Sequence, residues 1–139
     1  MQGSPIDVFN EGKMMRDFTY IDDIVEGVVR VLDKPATADP AFDNDQPDPA
    51  TSYAPFRIYN IGNHEPVALM TFIETIEKAC GKVAQKNMLP MQPGDVKATY
   101  ANIDALRDAV GFTPSTPLAL GIDKFVDWYK GYYGGMSPN

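Results

Sequence analysis

One cysteine and one histidine in 139 residues leave little material for a metal centre. Cys80 alone cannot close an internal disulfide or supply a multi-cysteine zinc site, and His64 adds a single imidazole. Cys80 falls on an apolar helical stripe, which makes it a buried, inert thiol rather than a nucleophile. Long apolar runs are also missing, so no segment can span a bilayer, and Met1 is not followed by the charged and then apolar stretch of a secretory signal. A soluble, cytoplasmic protein is the expectation. Basic residues are scarce too: 12 Lys and Arg face 19 Asp and Glu, a net charge of −7. That balance speaks against nucleic acid or an anionic membrane as partner, because both are held by clustered cations. Internal repeats and heptads are absent.

What is present is unevenly placed. Residues 1–34 carry seven carboxylates against four cations, residues 35–55 carry four against none, and residues 56–139 balance at eight each. The middle stretch, PATADPAFDNDQPDPATSYAP, holds five prolines and reads as a solvated, mobile loop whose acidity serves solubility. The chain is long enough to bury roughly two-thirds of its unfolded surface, which is one ordinary core. It divides into a strand, loop and amphipathic helix (1–34), the acidic loop (35–55) and a small α/β unit (56–139).

Within those parts the apolar periods alternate. IDVF (6–9) reads as a strand. Ile21, Ile24, Val25, Val28 and Leu32 recur at helical spacing, with Thr19 and Asp22 as a capping box and Pro35 as a stop. FRIYNIG (56–62) reads as a strand; Leu69, Phe72, Ile73, Ile76 and Cys80 line a second helix that Gly81 ends. A strand is expected over 83–89. Asn102 caps a short helix running to Val110, closed by Gly111. Thr116 and Pro117 start a final helix with Leu118, Ile122, Phe125, Val126, Tyr129 and Tyr132 inward. Strands alternating with helices predict an α/β layer arrangement, with too few strands for a complete doubly wound sheet.

The segments PIDVFNEGKMMRDFTYIDDIVEGVVRVLD, YNIGN and PGDVKATYANID, in that order, resemble the C-terminal half of extended short-chain dehydrogenase/reductase sugar-nucleotide epimerases, most closely UDP-glucuronate 4-epimerases. The resemblance runs from Pro5 to about Tyr133. It implies the substrate-binding part of an extended Rossmann-type fold, with the N-terminal Rossmann half missing. It implies NAD as the cofactor of the full-length family, with none expected to bind this chain alone. In the family a Ser or Thr and a Tyr-x-x-x-Lys pair remove the sugar hydroxyl proton while hydride passes to the nicotinamide. This sequence has no glycine-rich dinucleotide fingerprint, and none of its seven tyrosines is followed four residues later by lysine. Tyr53 comes nearest with Arg57, whose guanidinium cannot stand in for that lysine. The catalytic set is therefore expected elsewhere, and this chain alone is not expected to epimerise.

The resemblance assigns ligand contacts instead. Arg16, in the R-D-F motif, would face the diphosphate of a UDP-sugar, a role suited to a planar, multi-donor cation. Asp7, Val8 and Phe9 would form part of a uracil pocket, reading the base edge with backbone groups while Phe9 supplies apolar area. Gln92 and Asp95, in QPGD, would contact phosphate and ribose, with Gln92 standing where UDP-galactose 4-epimerases often carry a second arginine.

Plainer readings stand beside these. Arg16 could form a surface pair with Asp17, worth under about 1 kcal/mol. Lys13 reads as solvated. Asp22 and Asp23 favour the helix dipole over a metal, and His64 sits in an exposed turn. Trp128, Tyr129, Tyr132 and Tyr133 read as core and interface, and Gly94 as a tight turn. Apolar faces that a Rossmann half would cover predict self-association, a homo-oligomer in which elements could be exchanged. A non-catalytic nucleotide-sugar-binding or oligomerisation module, or a piece of a related UDP-glucose 4-epimerase or dehydratase, is the alternative.

Overall fold

The structure is a computed structural model and describes residues 3–134; the Met1 signal-sequence expectation lies outside the described residues. The chain folds as β1 (Ile6–Val8), β2 (Met15–Arg16), α1 (Ile21–Leu32), β3 (Val67–Ala68), α2 (Leu69–Cys80), β4 (Lys86–Met88), α3 (Asp104–Val110) and α4 (Leu118–Tyr133). Short strands and helices alternate, as the two apolar periods require.

Two small sheets organise the strands. β1 runs parallel to β4, with Ile6 opposite Lys86 and Val8 opposite Met88. β2 runs antiparallel to β3, with Met15 opposite Ala68 and Arg16 opposite Val67. Between β1 and β2 the chain reverses through Asn10, Glu11 and Gly12, all left-handed at φ 50°, 50° and 75°. The Asn10 side chain bridges this turn by donating to the Lys13 carbonyl at 2.8 Å. Gly12 fits because a Cβ there would stand 2.6 Å from Met70 Sδ.

The core is small. Val8, Met14, Ile73, Ile103, Leu106 and Val126 are its buried apolar side chains. α2 packs on α4, α1 packs on α3, and Phe18 stacks on Phe72 with centroids 4.0 Å apart. α2 and α3 end as expected, each at a left-handed glycine: Gly81 at φ 67° and Gly111 at φ 64°.

Several expectations are corrected. No ladder forms over 56–62; Ile58 N–H donates to the Ala50 carbonyl at 3.0 Å, but the extended segment has no strand beside it. The strand expected over 83–89 contracts to β4, the part that faces β1. The capping box does not form: Tyr20 is the N-cap of α1, without a side-chain cap. Asp23 instead accepts the N–H groups of Ser115 (3.2 Å) and Thr116 (2.9 Å), tying α1 to the approach of α4. Asn102 Oδ1 does accept the Asp104 N–H at 2.9 Å, one residue before the N-cap Ile103. On α4, Val126 is buried but Phe125 and Tyr132 are exposed, as are Trp128 and Tyr133, so these aromatics pack on one another and not in a core. Cys80 is half-buried. The acidic loop makes its own turns, with Asp39, Asp43 and Asp48 each accepting the N–H two residues on and Asp39 also pairing with Arg57 at 3.3 Å.

Candidate functional site

The position of Arg16 follows from how β2 is held. One edge of β2 meets β3, and the Met14 carbonyl accepts the Leu69 N–H at 2.8 Å. On the other edge Met15 N–H donates to the Lys97 carbonyl at 2.9 Å, and Thr99 N–H donates to the Met15 carbonyl at 3.2 Å. That second pairing draws the QPGD segment alongside. Gln92–Asp95 forms a tight turn, closed by Asp95 N–H donating to the Gln92 carbonyl at 3.2 Å, with Pro93 before Gly94 at φ 83°. Proline followed by a left-handed glycine is the signature of a type II turn, as expected of Gly94.

Arg16 and Asp95 therefore meet. Arg16 Nη2 donates to Asp95 Oδ1 at 2.9 Å, and the side chains are only 22% and 28% exposed. Arg16 Nη1 also donates to the Met15 carbonyl at 2.9 Å, and Nη2 lies 3.1 Å from Met14 Sδ. Asp95 Oδ1 accepts the Val96 N–H at 2.7 Å as well. The pair joins residues 79 positions apart. Among the described residues no such pair links Arg16 to Asp17.

Asp17 has different work, which the sequence reading missed. Its carboxylate accepts the N–H groups of Asn63 (3.1 Å), His64 (3.1 Å) and Ala101 (3.3 Å). It thereby fastens the YNIGN and ATYAN segments to β2. Gly62 makes room for it, since a Cβ there would collide with Ala101 Cβ and lie 2.8 Å from Asp17 Oδ2. The signal in the sequence was an aspartate beside a glycine-containing motif, but nothing local shows which backbone donors it will meet.

The β1 residues divide. Val8 is 1% exposed and its carbonyl accepts the Leu89 N–H at 2.9 Å, so its backbone faces β4. Ile6 N–H likewise donates to Gln85. Alternation turns the N–H and C=O of Asp7 to the opposite edge, where no strand lies in this two-stranded sheet. The Asp7 carboxylate accepts from Asn87 Nδ2 at 2.9 Å, and Phe9 is half-buried at the mouth of the left-handed turn. Gln92 is exposed. Lys13 is exposed and pairs with Glu11, whose carboxyl it holds below the usual range by hydrogen bond and charge. His64 is exposed, as expected, with Tyr100 Oη 2.7 Å from its Nδ1.

A cavity of about 400 Å³ opens elsewhere, between the start of α1, α2 and α4. Phe18, Tyr20, Phe72, Leu118 and Phe125 are among its walls, and it offers no convergent charge. Among the described residues no cluster of three metal-ligating side chains occurs, and no helix is long and apolar enough to cross a membrane.

The same geometry tests for a dinucleotide cradle. α1 opens on Asp22 and Asp23, α3 on Asp104, and the N–H groups ahead of α4 are taken by Asp23. Carboxylates at those ends repel a pyrophosphate, and no glycine-rich turn leads into any described helix. The residues present do not fit an NAD site.

Residues 1–62 match the family model described as "NAD dependent epimerase/dehydratase family". Among curated proteins, "Protein CapI" of Staphylococcus aureus is 54% identical over 128 residues, which are 92% of this chain and 38% of that protein. The "Probable UDP-glucuronate 4-epimerase" of Rhizobium meliloti is 48% identical, covering 94% of this chain and 39% of that protein. Over residues 1–62 the chain is thus similar to this epimerase/dehydratase family. It spans under two-fifths of the length of these relatives. A solved structure, the UDP-glucuronic acid 4-epimerase from Bacillus cereus in complex with UDP-glucuronic acid and NAD, superimposes with a TM-score of 0.72 at 29% identity, over 95% of this chain and 37% of that one. The α/β fold thus matches part of the fold of these Rossmann-type epimerases.

Proposed function

We propose that this chain is the substrate-binding portion of a UDP-glucuronate 4-epimerase, a cradle for a UDP-sugar that does not epimerise by itself. The observation that carries the reading is the meeting of Arg16 and Asp95, which brings the R-D-F and QPGD motifs side by side in a partly buried setting. A guanidinium at that depth is screened less by salt than a surface one, and its hydrogen bonds to anionic oxygens are charge-assisted. Asp7 and Phe9 offer an open backbone edge and an aromatic wall for the uracil, while Gln92 supplies a neutral donor beside the phosphates. The hydroxyl-deprotonating pair and the NAD cradle belong to the part of the family fold that this chain does not contain. NAD supplies the hydride chemistry of the family; the residues here bind and orient.

Titration calorimetry of the purified chain with UDP and with UDP-glucuronate tests this. Saturable binding of both is expected, and heat of dilution alone would remove the reading. A second reading, an association module without ligand, is favoured by the bare apolar face of α1, where Leu32 is 73% exposed. In that case the chain self-associates and ignores UDP.

A further inference from the structure

The structure points to a second role for Asp95: we infer that it positions the Arg16 guanidinium for an anionic ligand, in addition to any contact of its own. The inference rests on the reading of Arg16 as the diphosphate contact and adds the group that fixes it.

The geometry divides the Asp95 carboxylate into two halves. Oδ1 accepts both Arg16 Nη2–H at 2.9 Å and the Val96 N–H at 2.7 Å, whereas Oδ2 has no hydrogen-bond partner among the described residues. The type II turn over Gln92–Asp95 and the pairing of Lys97 and Thr99 with Met15 set where that carboxylate stands. On its side, the guanidinium is held at three points: Asp95 Oδ1, the Met15 carbonyl and Met14 Sδ. Met14 is itself buried, so this seat is part of the core. The contacts use both hydrogens of Nη2 and one of Nη1. Nε–H and the second hydrogen of Nη1 have no partner among the described residues. A long, flexible side chain is thus fixed before a ligand arrives, which removes part of the ordering cost of binding. Oδ2 remains open to a hydroxyl, so one carboxylate can serve the anion through Arg16 and a neighbouring sugar directly.

The sign of the effect separates this role from simple electrostatics. Removing a carboxylate from beside an anion site strengthens anion binding when charge alone matters. Removing a positioning group weakens it.

Inorganic pyrophosphate, which has no ribose, is the discriminating probe, with UDP beside it, in calorimetry of the full chain. Asp95→Ala and Asp95→Leu are expected to weaken pyrophosphate about tenfold and UDP at least as much, and to cost pyrophosphate nothing further in an Arg16→Ala background. Asp95→Asn keeps Oδ1 as an acceptor for both Arg16 and Val96 and is expected to lose less than either; Asp95→Leu carries the test if the alanine variant melts. Unchanged or tighter pyrophosphate binding by Asp95→Ala or Asp95→Leu overturns the inference, as does a loss confined to UDP, which would mark a ribose contact alone. Wild-type chain that binds neither probe overturns the underlying function instead.

Discussion

Arg16 shows how much one side chain can be asked to do in an acidic protein. With a net charge of −7, the molecule as a whole repels anions, but charges beyond about 10 Å are largely screened at physiological salt. Local donors decide, and here the Arg16 charge is shared with Asp95. Arg16→Ala is expected to weaken UDP binding at least tenfold, by loss of a charge-assisted contact; equal calorimetric affinity would contradict this. Its neighbour Asp17 holds structure. Asp17→Ala leaves three backbone donors without their acceptor and is expected to cost about 2–4 kcal/mol, read as a lower urea midpoint at neutral pH. Motif and residue type pointed to Arg16 and Asp95 separately. Their contact was not legible, because it depends on Met15 pairing with Lys97 and Thr99 across the chain.

At the scale of elements, the parts fixed by local chemistry are those the sequence discloses. Gly81 and Gly111 end helices because a left-handed residue favours glycine, a property of one position. Parts that need a distant partner were misread. FRIYNIG has the composition of a strand, but a ladder is a property of two segments. Asp22 lay at capping-box spacing, while Asp23 satisfied donors 92 and 93 residues away. The junction of α2 with β4 is of the same distant kind. Glu77 Oε1 accepts the Ala84 N–H at 2.8 Å and pairs with Lys86. The Lys86 hydrogen bond, then the Ala84 N–H, hold the Glu77 carboxyl below its ordinary value of 4.5. A lowered folded-state pKa contributes stability that is present above the unfolded value and is lost as pH falls through the folded one. Glu77→Gln is therefore expected to lower the urea midpoint at neutral pH, with the gap to wild type closing progressively below pH 4.5. A gap independent of pH would show that the carboxylate charge contributes nothing there.

The whole molecule presents more apolar surface than its small core can account for. Ile21, Val25, Val28, Val29 and Leu32 leave the α1 stripe in water, although their spacing is that of a buried face. α4 adds Phe125, Trp128 and Tyr132, with Trp128 and Tyr132 stacked at 5.6 Å. Contiguous apolar area above a few hundred Å² is seldom left uncovered by a protein in solution. The chain by itself is thus expected to self-associate, with a sedimentation coefficient that rises with concentration. Val25→Lys combined with Leu32→Glu should return it toward monomer if α1 is the contact, whereas Trp128→Lys should do so if α4 is. Covering α1 in trans provides an independent check. The N-terminal part of a UDP-glucuronate 4-epimerase relative, added as a separate polypeptide, should displace α1-mediated self-association and leave α4-mediated association intact. A folded wild-type monomer at high concentration would mean that the bare stripe is tolerated in water, and the argument from exposed area would then fail for this molecule.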